Sequence, residues 1–139
     1  MNKNRRVSGI ILRDKEGKIL LQHRTDDARL FPGLWGYFGG HIEEGESPEE
    51  AAKRETQEEL GLDLQSVQFI KKFVFPEEDH ILEHYIFTAP LKHTVEQLRK
   101  QQKEGKDLGL FDREGIKNLD MIDTDRIIAE YLFDMASTL

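Results

Sequence analysis

The apolar positions change their period several times along the chain. "RVSGIILR" (residues 6–13) and "ILLQHR" (19–24) are short apolar runs on either side of the polar turn "DKEGK". Runs of that length around such a turn predict a β-hairpin. A polar loop, "TDDARLFPG", then leads into "LWGYFGG", a strand end at Trp35 to Phe38 followed by Gly39 and Gly40. Next, Ser47 and Glu50 have the spacing of a capping box, Pro48 falls at the first helical position, and Gly61 suits a left-handed C′ site. These signals predict a helix from about Pro48 to Leu60. "SVQFIKKFVF" and "EHYIFTAPL" read as two further strands, with Pro76 and "EEDH" between them. From Thr94, "TVEQLRKQQKEG" is either a helix or a short turn followed by a polar strand. "LGLFDREGIKNL" reads as a strand end leading to a short helix with Asp112 near its cap. In the last segment, "DTDRIIAEYLFDMAST", Ile127, Ile128, Tyr131, Leu132 and Met135 recur at helical spacing and predict a core-facing stripe. Strands on both sides of one helix, with a second helix at the end, imply an α/β fold in which a mixed sheet lies between helices.

A chain of 139 residues suffices for one full hydrophobic core and is short for two, so residues 1–139 are read as a single domain. The chain is 37% hydrophobic and 34% charged, and no apolar run approaches the length of a membrane span. Its start lacks the pattern of a signal peptide. It has no cysteine, which excludes thiolate nucleophiles, thiolate metal sites and disulfides and fits a cytoplasmic protein. The net charge of −7 argues against polymeric nucleic acid, because affinity for a phosphate backbone comes mainly from Lys and Arg. Small phosphorylated molecules, whose charge a metal can neutralise, stay compatible. Both a monomer and a homodimer are open.

The candidate chemistry lies on the predicted helix. At roughly 100° per residue, Glu55, Glu58 and Glu59 share an arc of about 100°. Glu55 and Glu59 form a like-charge i,i+4 pair, and Arg54 precedes Glu58 in the less favourable order for an ion pair. A helix face selected for stability would interleave lysines here. Clustered carboxylates without local compensation call for a divalent cation. The glycine pair before the helix lets the backbone turn sharply and expose a carbonyl. Carboxylates plus a carbonyl are hard oxygen donors, which suit Mg²⁺ or Mn²⁺ rather than zinc.

The segment from Gly40 to Leu62 resembles the signature of the Nudix hydrolases, which include the MutT-like nucleotide pyrophosphohydrolases. The pattern is carried by Gly40, Glu46, Arg54-Glu55, Glu58-Glu59, Gly61 and Leu62, with one departure, Thr56 in a slot usually apolar. The resemblance implies an α/β/α sandwich and a hydrolase that cleaves a diphosphate linkage of a small nucleotide with Mg²⁺. It also implies that Glu55, Glu58, Glu59 and the Gly40 carbonyl hold the metal, that Arg54 orients Glu55, and that Glu46 braces the loop. MutT-like enzymes carry a Glu-Gly in a loop facing the signature helix, matched here by Glu104 and Gly105 in "KEGKDLGLF". That match makes Glu104 a candidate metal ligand and general base, beside Glu55. Arg24 matches an arginine that contacts phosphate in some relatives and is equally consistent with an ordinary exposed side chain.

The remaining candidates have ordinary structural readings. The five histidines lack metal-ligand spacing on a shared helix, and only His41 adjoins the glycine corner. Trp35, Tyr37 and Phe38 are read as core before they are read as a base-stacking surface. Asp123, Thr124 and Asp125 are read first as a helix cap, although MutT-like enzymes contact the base from this segment. Within the resemblance, a compact chain lacking the extra N-terminal segment common among ADP-ribose pyrophosphatases favours a nucleoside triphosphate substrate, including an oxidised one as in MutT-type enzymes. Pro76 falls where ADP-ribose-cleaving relatives often carry a proline. A nucleotide-binding sensor without turnover is the competing class.

Overall fold

A computed structural model of the chain describes residues 4–103 and 105–137. Its elements run β1 (Arg5–Arg13), β2 (Ile19–His23), β3 (Trp35–Gly36), β4 (Phe38–His41), α1 (Pro48–Leu60), β5 (Gln68–Pro76) and β6 (Ile81–Pro90). After these come α2 (Val95–Gln101), β7 (Asp107–Phe111), α3 (Arg113–Ile116) and α4 (Asp123–Ser137).

The apolar run of β1 lies at the centre of a mixed sheet. It pairs in parallel with β6 from Arg5↔Leu82 to Arg13↔Pro90, and antiparallel with β4 from Val7↔His41 to Ile10↔Phe38. It also meets β2 in the hairpin, at Arg13↔Ile19. β2 carries β3 and β7, and β5 closes the far edge against β6.

Because successive strand residues face opposite sides, the run Ile10-Ile11-Leu12 feeds two cores at once. Ile10 and Leu12 join Leu20, Phe38, Phe87 and the helix residues Ala52, Leu60 and Leu98 on the side of α1 and α2. Ile11 joins Ile19, Leu21, Phe73 and Ile86 beneath Ile128, Ala129, Leu132 and Phe133 of α4. A strand buried on both faces reads as a continuous apolar run, and the two layers of helices make the α/β/α sandwich.

The ambiguous segment after Thr94 is a helix, fixed by a capping box between Thr94 and Gln97. Asp112 caps α3 through Gly115 N. The stripe expected on the last helix is rotated. Ile128 and Leu132 are buried, but Ile127 and Met135 are exposed, and Ala129 and Phe133 complete the inward face instead. Small Ala129 and bulky Phe133 fit the sheet surface, a choice that spacing alone does not reveal. Pro76 ends the edge strand β5, where a missing N–H is tolerated.

Candidate active site

The signature helix is built as its caps dictate. Ser47 accepts a hydrogen bond from Glu50 N, and Glu50 accepts one from Ser47 N. This bond to the Ser47 amide, more than any other interaction, holds the Glu50 carboxyl below its usual range. Gly61 closes the helix at φ 70°. Ser8, fully buried on β1, donates to Pro48 O at 2.7 Å and ties the start of α1 to the central strand. Thr56 is also fully buried, and its hydroxyl donates to Ala52 O at 2.7 Å, so the departure from an apolar residue leaves no orphaned polar group.

Arg54 organises the acidic face. Its Nε and Nη2 grip the two oxygens of Glu46 at 2.7 and 3.0 Å, and Nη2 also donates to His41 O at 3.0 Å. Nη1 donates to Glu55 at 3.0 Å and to Glu58 at 3.2 Å. Glu46 in turn accepts from Glu43 N at 3.0 Å, which pins the loop before the helix. The Arg54 hydrogen bonds, outweighing the effect of burial, hold the Glu46 carboxyl below its usual range, and the same contacts raise Arg54.

The three helix carboxylates sit at different depths. Glu58 is half open to solvent, with 52% of its side chain exposed, whereas Glu55 keeps 16% and Glu59 is buried. Glu59 accepts from Gly39 N at 3.3 Å. Glu55 lies so close to Gly40 that a Cβ at that glycine would stand 2.5 Å from its carboxylate. The glycine pair is therefore a steric requirement. At Gly39 a Cβ would run into the carbonyl of Ser8 on β1, and at Gly40 into Glu55.

Glu104 lies outside the described residues, but its flanks are fixed. Lys103 N donates to Glu59 O at 2.8 Å, and Lys106 N donates to His23 O at 2.8 Å. Gly105, at φ 83°, approaches Gln22 and the His23 carbonyl. The loop thus starts against the last turn of α1. Arg24 instead folds onto its own loop, with Nε donating to Leu30 O at 2.8 Å. His41 contributes its backbone carbonyl to Arg54, while its side chain is exposed.

The donors gathered at the glycine corner are oxygens, the chemistry that suits Mg²⁺ or Mn²⁺. As the side chains stand, no three His, Asp or Glu among the described residues form a closed ligand cluster. Arg54 Nη1 lies between Glu55 and Glu58. Two surface hollows of about 460 and 480 Å³ lie beyond the C-terminal end of α1, beside Ser66, Ala89 and Pro90. No signature carboxylate lines either one.

Sequence reasoning missed Asp125 as a tertiary contact. Read as a cap, it is 6% exposed and accepts from Tyr37 N at 3.2 Å. Burial, opposed by the hydrogen bond from the Tyr37 amide, pushes its carboxyl up to about 7. His84 was also passed over. It is buried on β6 beside Phe75, with Nδ1 hydrogen-bonded to the Tyr37 hydroxyl and Nε2 without a hydrogen-bond partner among the described residues. Nothing in the local sequence of either residue signals this. Of the three aromatic residues before the glycines, Phe38 is core, whereas Trp35 and Tyr37 are half-buried.

A mixed sheet between helices, carrying an arginine-organised acidic helix against a glycine corner, defines a Nudix-type α/β/α protein. The family model of the NUDIX domain matches residues 3–131, and the chain belongs to that family. The chain is 42% identical over 60 residues to the m7GpppN-mRNA hydrolase NUDT17 of Xenopus laevis, covering 43% of this chain and 20% of that protein. It is 49% identical over 49 residues to the nucleoside triphosphatase NudI of Escherichia coli, covering 35% of each. The matches thus span about a fifth to a third of the length of these curated relatives. In structure it is similar to the MutT protein of Methanosarcina mazei Go1, with a TM-score of 0.80, 19% identity, and 99% and 98% of the two chains covered.

Proposed function

We propose that the chain is a single Nudix domain that hydrolyses a diphosphate linkage in a nucleoside triphosphate or a related nucleoside diphosphate derivative, by attack of water on phosphorus, with Mg²⁺ as cofactor. The observation that carries this reading is the set of carboxylates on one face of α1: Glu55 and Glu58 held by Arg54, Glu59 bonded to Gly39 N, and Glu55 packed against Gly40. Glu55, Glu58, Glu59 and the Gly40 carbonyl, with Glu104 from the facing loop, would hold the ion. When bound there, Mg²⁺ supplies charge neutralisation for the diphosphate and a lower pKa for the attacking water. Arg54 keeps Glu55 oriented, Glu46 keeps Arg54 oriented, and Glu104 or Glu55 takes the proton from water. Arg24, whose Nε donates to Leu30 O, would have to leave that bond to meet a phosphate.

The relative named a nucleoside triphosphatase supports the triphosphate reading over the part of the chain it matches. The relative named an mRNA hydrolase raises a capped-RNA substrate as a second reading, which the net charge of −7 disfavours. A cytoplasmic location is consistent with the absence, among the described residues, of any helix long and apolar enough to cross a membrane. The purified chain, as monomer or homodimer, is to be incubated with Mg²⁺ and a panel of nucleoside triphosphates, oxidised triphosphates, ADP-ribose, nucleotide sugars and capped RNA. Release of pyrophosphate or phosphate from triphosphates is the expected result. Turnover of ADP-ribose or nucleotide sugars alone would move the substrate class. Binding without any turnover would replace the enzyme with a sensor.

A further inference from the structure

The strand that delivers the glycine corner changes partners on the way. Trp35 and Gly36 pair with β2, whereas Phe38 to His41 pair with β1. Tyr37 stands between them and belongs to neither ladder. A backbone N–H that loses its ladder partner must find another acceptor, and here the acceptor is the Asp125 carboxylate from α4, at 3.2 Å.

The same crossing is held in two further ways. The Tyr37 ring lies so close over Gly9 of β1 that a Cβ there would overlap it. Its hydroxyl is hydrogen-bonded to His84 Nδ1 on β6, with the two rings edge to face at 87°. Just upstream, Trp35 N donates to Asp120 O at 2.8 Å and Ile122 N donates to Trp35 O at 3.0 Å. Gly36 leaves the room that Asp125 needs, since a Cβ would stand 2.5 Å from its Oδ2. Segment 35–37 is therefore stitched to the chain entering α4, while two residues later Gly39 N meets Glu59 of α1.

We propose that Tyr37, held by Asp125 and His84, is a positioning residue for the active centre: it fixes the partner change between β3 and β4, and with it the direction in which Gly39 and Gly40 present their backbone to Glu59 and Glu55. This rests on the reading of that corner as the catalytic site. Neither Tyr37 nor Asp125 touches the reacting groups in this scheme. They act through the glycine backbone, so the α4 layer sets the geometry of a site on the α1 layer.

The test compares Asp125→Ala, Asp125→Asn and Tyr37→Phe. Asparagine keeps an oxygen for Tyr37 N, alanine removes it, and phenylalanine keeps the ring on Gly9 and loses only the hydroxyl. Four quantities are measured: hydrogen exchange of the Gly39 amide in the metal-free protein, Mn²⁺ affinity without substrate, kcat and KM. Asp125→Ala is expected to speed Gly39 exchange and to weaken Mn²⁺ binding and kcat by about 10-fold or more, the usual effect of losing an orienting partner, with KM little changed. Asp125→Asn should recover most of each, and Tyr37→Phe should fall between. Unchanged Gly39 exchange in folded Asp125→Ala would overturn the proposal, as would faster exchange with unchanged Mn²⁺ affinity. So would a rise in KM alone, which means direct substrate contact by Asp125. If Asp125→Ala does not fold, Tyr37→Phe decides by the same readouts. If the wild-type chain turns over nothing, the functional reading fails, and Gly39 exchange still decides whether Asp125 and Tyr37 set the corner.

Discussion

Gly40 and Glu55 show how narrow the tolerances at the site are. Because a Cβ at Gly40 would stand 2.5 Å from the Glu55 carboxylate, Gly40→Ala must push that side chain away from the corner. The fold has room to absorb this, since Glu55 reaches solvent on one side. Gly40→Ala is therefore expected to lose most hydrolysis while the thermal midpoint moves little, and a large drop in midpoint would mean that the glycine serves the fold instead. The identity of the base is a second question at this scale. If Glu104 takes the proton, Glu104→Gln should lower kcat by roughly 10²–10⁴ with KM little changed, and Glu55→Gln should act mainly through metal affinity. Single-turnover rates at saturating Mg²⁺ separate the two. Small, equal losses would remove both residues from the role.

At the scale of elements, α1 is the part most completely specified by local signals. Its capping box, first-position proline and terminal glycine bracket the thirteen residues Pro48–Leu60. Ser47→Ala removes the acceptor for Glu50 N and should cost about 0.5–2 kcal/mol of stability, read from urea unfolding at fixed pH. Because the start of the helix also carries the Ser8 contact to Pro48, fraying there should stay local, and the Arg54 grip on Glu46 should survive. The last helix behaves differently. Its apolar residues occupy enough of the circumference that spacing admits two stripes, and packing against the sheet selects the one with Ala129 and Phe133.

For the whole molecule, two buried groups make opposing demands on pH. Burial, with Arg5 nearby, pulls the His84 imidazole down to about 4 from an ordinary 6.5. Between those values the unfolded chain binds a proton that the native state does not, so this group makes stability rise as pH rises from about 4 to 6.5. Asp125 does the reverse. Its folded value of about 7 lies above the ordinary 3.8, so the native state keeps a proton that the unfolded chain releases. Its contribution falls as pH rises from about 4 to 7. Relative to wild type, Asp125→Asn should gain stability steadily across that window, whereas His84→Phe should show its largest relative gain at the acidic end. Urea midpoints measured from pH 4 to 8 test both signs, and parallel curves for all three proteins would show that neither group titrates as its burial requires.

The sequence alone determined what depends on neighbours in the chain. The hairpin, the ends of α1, the capping of α3 by Asp112 and the set Arg54, Glu55, Glu58 and Glu59 were all legible, because caps, turns and one helix face are encoded within a few residues. The pairing of Glu46 with Arg54 spans only eight positions, from the loop before α1 to the helix itself. Tertiary structure alone decided which carboxylate is buried, since that depends on how α1 packs on the sheet, where Ala51 and Ala52 are buried and Gly40 lets Glu55 come close. It also decided the contact of Asp125 with Tyr37 across 88 positions and that of Tyr37 with His84 across 47. No local pattern encodes such contacts. The first of them exists because a strand that changes partners leaves the Tyr37 amide outside both ladders, and the fold brings the Asp125 carboxyl beside it.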